Sequence, residues 1–525
     1  MAITYKLYNF SNREGIMTSS QQIGSQQVSD TWRRRDSAVV WHPFTQHASW
    51  VDDEPLVVDR ANGPWLFDVD GRRYLDGVSS LWVTTFGHGV PEIDTAICEQ
   101  LAKLDHSTFL GATHAPGIEL AEHLLSVAPK GSAQPELAKV FYAGDGSSAV
   151  EAALKLAYQY GAQRGTDRDG PDASGGTSST ATHDRPLFVH LSQAYHGDTL
   201  GAVSVGGIEL FHATYRPILL RALATGSPGV RAPGQSAQAR AAEAIRELSA
   251  VMAKHGGRVC AIIVEPMVQG AAGMLTYDPA YLRACRQLAT QYGALLICDE
   301  VATGIGRTGR MWACEHAVIV PDLLVCGKGL TGGYLPLSAV LATQEVYEAF
   351  LGAPATNRTF FHGHTYTANP LACAAALANL RLMGSTDLVG RAAKLGERLG
   401  ELLAPLHDHP GVLELRRLGT MIGIQLRAVM KNGVTARTGS AVCKAARDHG
   451  VLLRPLGDTV IVMPPLALEA AEAQLLANAV IAAVDEVTAR SGGTVFDSPV
   501  FGGSASDSTT SDSTASDNTV SDGSA

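Results

Sequence analysis

The sequence predicts an α/β protein, a large domain on a mostly parallel sheet followed by a smaller α/β domain. Three observations predict it. Short apolar runs alternate with helical periods along most of the chain. Hydrophobic residues make up 46% of the 525 positions and charged residues 18%, with mean hydropathy +0.05, enough apolar surface for a large core. The reactive polar residues fall directly after apolar runs, where open α/β sheets bind ligands.

Residues 1–30 are polar, lack the apolar stretch of a secretory leader and read as a disordered arm. Met17, ahead of a Ser/Gln-rich stretch, is a second candidate start. Residues 31–90 read as a segment joining the small domain, with a hairpin-like piece at 56–75. The large domain is expected over 91–369. Its strands are 139–143, 187–191, 259–264, 294–298 and 323–326, and its helices 149–160, 239–255 and 279–292. Helices between strands imply right-handed crossovers and a sheet covered on both faces. Stretches 165–184 and 225–238, rich in Gly, Ser, Asp and Pro, read as surface loops. A helical run at 370–383 opens the small domain, 370–491, with strands at 412–418, 421–425 and 460–463. Residues 503–525 carry an imperfect five-residue Ser/Asp/Thr repeat with Asp507, Asp512, Asp517 and Asp522 and read as a solvated tail.

Composition excludes several functions. With 41 basic and 51 acidic residues the net charge is −10, so no basic field holds nucleic acid or an anionic membrane. No apolar run approaches the roughly 18 residues of a membrane helix. Eight cysteines without a C-x-x-C pair argue for reduced thiols and a cytoplasmic protein, not for disulfides or zinc.

Four strand ends carry the chemistry. Gly144-Asp145-Gly146-Ser147-Ser148-Ala149 follows a strand and opens a helix, whose free amides and positive dipole end favour an anion such as phosphate. Ser147 and Ser148 can add hydroxyl donors. The run also matches G-x-G-x-x-A, but the acid a dinucleotide site needs would fall in a loop. Tyr195-His196 follows the next strand, and a tyrosine there can offer a flat face to an aromatic cofactor. Asp299 ends a third strand, where a carboxylate needs a cation or donor such as a protonated ring nitrogen. The glycines after it (Gly304, Gly306, Gly309) open no helical period, so Arg307 reads as part of a mobile, substrate-facing loop. Lys328 ends a fourth strand between Gly327 and Gly329, poorly solvated and available as a nucleophilic amine. Each has a bland account alone: a helix cap, a loop pair, a buried structural acid, a lysine snorkelling at a strand tip. Together they match what pyridoxal phosphate requires.

From about Trp41 to Leu476 the chain resembles the class III pyridoxal-phosphate aminotransferases of fold type I, whose large domain carries a mostly parallel, seven-stranded-type sheet. D-E-V-A-T-G-I-G-R-T-G from Asp299 and G-K-G-L-T-G-G-Y from Gly327 carry the resemblance. W-H-P-F-T-Q from Trp41, D-G-V-S-S-L-W from Asp76, H-S-T-F-L-G-A-T-H-A-P from His106 and L-L-R-P-L-G-D from Leu452 resemble the branch acting on 8-amino-7-oxononanoate in biotin biosynthesis. The resemblance implies that Lys328 is the Schiff-base lysine and proton carrier, that Asp299 pairs with the pyridine nitrogen, and that Tyr195 lies against the ring. It implies a phosphate held by Gly146 and Ser147, with His364 and Thr365 reaching the partner's site in a homodimer. It places Trp82, Gly363 and Arg454 at the substrate, Arg454 on the carboxylate. Relatives acting on ornithine usually carry Gln where this chain has Ala302. Phe44, Leu81 and His364 depart from the common W-H-P-Y, S-S-W-W and H-G-P-T. The departures resemble the minority form that takes its amino group from L-lysine instead of S-adenosylmethionine. An ω-amino-acid or diamine transaminase is the alternative within the family. A nucleotide-binding dehydrogenase, resting on the glycine patterns, is the distant one. No metal is expected, since His362 and His364 lack a third ligand at a recognisable spacing.

Overall fold

The computed structural model describes residues 25–50, 53–131, 135–166, 185–431, 434–435, 437–490 and 494–496. It divides into two compact units. The first holds, among described residues, 25–50, 53–61 and 66–73. Here the disordered-arm reading needs correction, because residues 25–30 begin a helix, Ser25–Val39. Tertiary ties outweigh the polar composition: Ser29 Oγ donates to Asp70, and Arg33 Nε donates to the Pro55 carbonyl at 3.0 Å. Below the helix, Trp50 Nε1 donates to Asp36 Oδ2 at 2.8 Å, and His42 Nε2 lies within 2.9 Å of both carboxylate oxygens. Phe44 sits exposed in this unit at φ +52°. The expected arm 1–24 and tail 503–525 lie outside the described residues.

The second unit contains a seven-stranded sheet. In chain order its strands are β1 (Leu137–Ala143), β2 (Leu187–Leu191), β3 (Ala222–Thr225), β4 (Val259–Val264), β5 (Leu295–Asp299), β6 (Leu323–Cys326) and β7 (Ser338–Thr343). They lie in the order β1-β7-β6-β5-β4-β2-β3. Strand β7 runs antiparallel to both neighbours, and the remaining pairs are parallel. Alternate residues feed two cores, as a sheet buried on both faces requires. Leu295, Ile297, Leu323 and Val325 pack with Ala149 and Val150 of helix Gly146–Thr166. Leu296, Cys298, Leu324 and Cys326 pack on the other side with Leu248 of Ala237–His255 and Leu282 of Pro279–Tyr292. Local signals set the helix ends. Asp278 caps Pro279–Tyr292 by accepting from Ala280 N at 2.8 Å, and Gly293 at φ +64° stops it.

Two loop readings change. Residues 165–166 close the helix Gly146–Thr166, and 167–184 lie outside the described residues. In 225–238, Thr225 ends β3, and Ser227, Pro228 and Gly229 are buried because Ser227 Oγ donates to the amide oxygen of Gln269.

A smaller antiparallel sheet follows, ordered Val412–Leu418, Met421–Leu426, Thr459–Val462, Arg454–Leu456. Helices Leu388–Leu402, Thr438–Asp448 and Ala470–Arg490 build a separate core on it. Leu75 belongs to that core and pairs in parallel with Val451. The turn after it is tied to the C-terminal part. Ser79 Oγ donates to Met463 O at 2.7 Å, Met463 N to Gly77 O at 2.8 Å, and Ala467 N to Thr85 O at 3.1 Å. Arg307 is a correction as well. It is buried, not substrate-facing: Nη1 donates to Pro464 O at 2.7 Å and Nη2 to Thr84 O at 2.8 Å. Gly306 and Gly309, both at positive φ, let the chain turn tightly enough to aim it inward. Among the described residues no helix is long and apolar enough to cross a membrane.

Candidate functional site

At the C-terminal ends of the parallel strands lies a cavity of about 510 Å³. Register explains who meets there. Asp299 pairs with Val325 on the neighbouring parallel strand, so the ends of β5 and β6 lie side by side and deliver Asp299 and Lys328 to one edge. Lys328 has φ +44°, a left-handed conformation unusual for a side-chain-bearing residue. Its Nζ lies 4.9 Å from the centre of the Trp82 ring. Burial lowers its pKa from the ordinary value, although Asp299 and Glu265 pull the other way.

Both oxygens of Asp299 are engaged. Oδ2 lies 2.7 Å from His196 Nδ1, and Oδ1 accepts from Val301 N at 3.0 Å. His196 Nε2 is buried without a partner. Tyr195 donates its hydroxyl to Asp198 Oδ2 at 2.8 Å and its amide to Glu265 Oε1 at 3.0 Å. Burial raises the Tyr195 phenol above its ordinary range, with Asp198 adding to the shift. Burial also pushes Glu265 up to about 7, against the amides of Tyr195 and Gly270 that favour its charged form.

The helix start Gly146–Ser147 forms the next wall, and Asp145 caps it, its Oδ1 accepting from Ser148 N at 2.9 Å and its carbonyl from Ala149 N at 3.0 Å. Ser147 Oγ donates to Thr199 Oγ1 at 2.9 Å and accepts from Thr199 N at 3.0 Å. Neither serine is the free hydroxyl donor expected, since that of Ser147 goes to Thr199 and that of Ser148 to Asp145 Oδ2 at 2.8 Å. Crowding fixes the glycines. A Cβ on Gly146 would stand 2.7 Å from Val301 Cγ1, and one on Gly197, at φ +119°, would stand 2.3 Å from Ser147 Oγ.

Of the residues singled out in the sequence, the cavity lining brings together Trp82, Gly146, Ser147, Tyr195, Asp299, Ala302 and Lys328. It does not include Leu81, Gly363, His364, Thr365 or Arg454. Leu81 is half exposed beside Trp82, and Arg454 is exposed at the start of its strand. Gly363 and Thr365 are exposed on the chain before Pro370–Ser385, where the His364 ring stands 5.2 Å from that of His362. Phe44 belongs to the first unit. Sequence reasoning missed His196 and Glu265. The only signals were their positions, His196 beside Tyr195 and Glu265 at the end of an apolar run.

The arrangement fits a phosphorylated pyridine aldehyde. It offers an amine of lowered pKa, a fixed carboxylate acceptor and a helix start on the cavity wall, whose dipole end favours an anion. Known proteins point the same way. The family model described as aminotransferase class-III matches residues 47–484. The adenosylmethionine-8-amino-7-oxononanoate aminotransferase of Nitratidesulfovibrio vulgaris is 45% identical over 87% of this chain and 82% of its own length. That of Aquifex aeolicus is 40% identical over 87% of this chain and 98% of its own. Among solved structures, the enzyme of the same name from Methanocaldococcus jannaschii has TM-score 0.77 at 35% identity, covering 88% of this chain and 99% of its own. A PLP-bound amine transaminase from an uncultivated Pseudomonas species has TM-score 0.76 at 36% identity, covering 86% and 99%. This chain therefore belongs to the class III aminotransferases, pyridoxal-phosphate enzymes of fold type I that move amino groups between small molecules.

Proposed function

We propose that the enzyme aminates 8-amino-7-oxononanoate to 7,8-diaminononanoate in biotin biosynthesis. The observation that carries the chemistry is the meeting of Lys328, Asp299 and the Gly146–Ser147 helix start in one cavity. The names of relatives up to 45% identical support the substrate. Pyridoxal phosphate, when bound, supplies an electron sink beside the carbon that bears the amine. Lys328 would hold the cofactor through its amine and then carry the proton at that carbon, a task its lowered pKa suits. Asp299, braced by His196 and Val301, would face the ring nitrogen. Gly146 and Ser147 would bind the phosphate, and Tyr195 would lie along the ring.

The rest of the site is assigned by family resemblance. Arg454 binds the substrate carboxylate, Gly363, Trp82, Leu81 and Phe44 border substrate, and His364 and Thr365 complete the phosphate site across a homodimer. Eight free thiols support a cytoplasmic enzyme. For the amino donor we favour L-lysine, on Phe44, Leu81 and His364. S-adenosylmethionine is the second reading, supported by the relatives' names.

Purified enzyme supplied with pyridoxal phosphate and 8-amino-7-oxononanoate should form the diamine with lysine, read by mass spectrometry. Diamine from S-adenosylmethionine alone assigns the second donor. No diamine with either overturns the substrate, and transfer of the amino group from other ω-amino acids or diamines to a keto acid would then support the general transaminase suggested by the Pseudomonas neighbour.

A further inference from the structure

One wall of the cavity is a tight turn carried by the hairpin Val268–Gln269 and Leu275–Thr276. Ala271 on this turn lines the cavity, and a Cβ on Gly270 would stand 3.4 Å from the Trp82 ring. From the cavity side, Glu265 Oε2 holds Gly270 N at 2.9 Å. From the other side the turn meets the smaller sheet, where Arg416 and Gly423 face each other across Val412–Leu418 and Met421–Leu426. Gly423 leaves a notch there. A Cβ on it would stand 2.5 Å from the carbonyl oxygen of Gly273.

Arg416 closes that notch. Its Nε donates to Gly273 O at 3.1 Å, while Nη1 donates to Glu414 Oε2 at 2.7 Å and Gln425 Oε1 at 2.6 Å. Glu414 in turn accepts from Arg231 Nη2. Arg416 is buried, and its Nη2 has no partner. A buried guanidinium with an unpaired donor is expensive wherever packing alone would serve. Its rigid fork holds the carbonyl from one nitrogen and the carboxylate and amide from another, a spread that the single nitrogen of a lysine does not reproduce.

We infer that Arg416 is a positioning residue, which fixes the Gly270–Gly273 turn and so sets how tightly the cavity holds the keto substrate. The inference rests on the aminotransferase reading above. A wall left loose must be ordered when the substrate binds, a cost that appears in KM.

The test compares wild type with Arg416→Lys and Arg416→Met by three readouts. These are amide exchange of the peptide spanning 270–276, kinetics with 8-amino-7-oxononanoate, and Tm. We expect exchange about tenfold faster, KM about tenfold higher, and kcat within about threefold, with the lysine variant no better than partly rescued. Unchanged exchange and KM overturn the inference. So does a parallel fall of kcat and Tm without a rise in KM, the signature of a merely structural residue. If Arg416→Met does not fold, Glu414→Gln, whose side chain is partly exposed, should raise exchange and KM in the same direction, and no rise in either overturns the inference. Wild type that ignores 8-amino-7-oxononanoate but aminates another ketone removes the substrate reading alone. The exchange data, and KM for that other ketone, then decide the role of Arg416.

Discussion

At Lys328 three facts coincide: a left-handed backbone, a strand-end position, and an amine of lowered pKa beside an indole ring. A lysine serving only to solvate a strand tip would extend outward, so this one is held for chemistry. Lys328→Ala should lower turnover by about 10³-fold or more with Tm little changed. Turnover within about tenfold of wild type would return Lys328 to a structural role. Asp299→Asn should leave the fold and cofactor retention intact while slowing single-turnover amine transfer by orders of magnitude. The amide keeps the shape but replaces one acceptor by a donor that opposes both His196 Nδ1–H and a ring N–H. Equal single-turnover rates would show Asp299 to be a buried brace. This pair was legible in the sequence because each residue ends an apolar run. His196 was not, because its partner is 103 positions away, and only the folded sheet shows that they touch.

Among the elements, the contact of Gly197 with the helix start is the most exacting. Gly197→Ala would place a methyl group on Ser147 at a φ that side chains rarely adopt. It should cost about 1–3 kcal/mol in stability and weaken cofactor binding, read by thermal melting and by titration of the apoenzyme. Unchanged melting and affinity would mean that the loop moves aside freely. Glu300, next to Asp299, ties its strand end to the following loop by accepting from Thr303 Oγ1, Ala313 N and Cys314 N. Burial raises it from 4.5 to about 7, and those donors offset only part of the shift. Between these values the unfolded chain releases the proton while the folded chain keeps it, so stability falls as pH rises through that window. Glu300→Gln removes this slope. Its Tm relative to wild type should climb from about pH 5 to 7, and a flat difference would show that Glu300 is ionised throughout. Strands β4, β5 and β6 were readable because each is an unbroken apolar run. The edge strand β3 is short and merges into a Gly/Pro-rich stretch. Strand β7 follows the glycine motif around Lys328, and its antiparallel direction depends on partners that no local pattern announces.

At the scale of the whole chain, the Ser/Asp/Thr repeat at the C-terminus offers almost nothing to bury. Deleting residues 504–525 should leave Tm and turnover unchanged, and a lower Tm would mean that the tail docks on the folded body. The fold class and the cofactor-facing half of the site were visible in the alternation of runs and turns. Arg307 was misread because glycines around an arginine suggest exposure, whereas its two carbonyl partners lie at Thr84 and Pro464, far apart in sequence. Those partners bear on how the protein is made. The turn that presents Trp82 is fastened to residues 463–467, so the wall opposite Lys328 closes only after almost the entire chain has left the ribosome. A nascent chain that already carries β1 to β7 still lacks that wall. A chain truncated before Met463 would therefore keep the reactive lysine but lose the bonds that hold the Trp82 turn beside it.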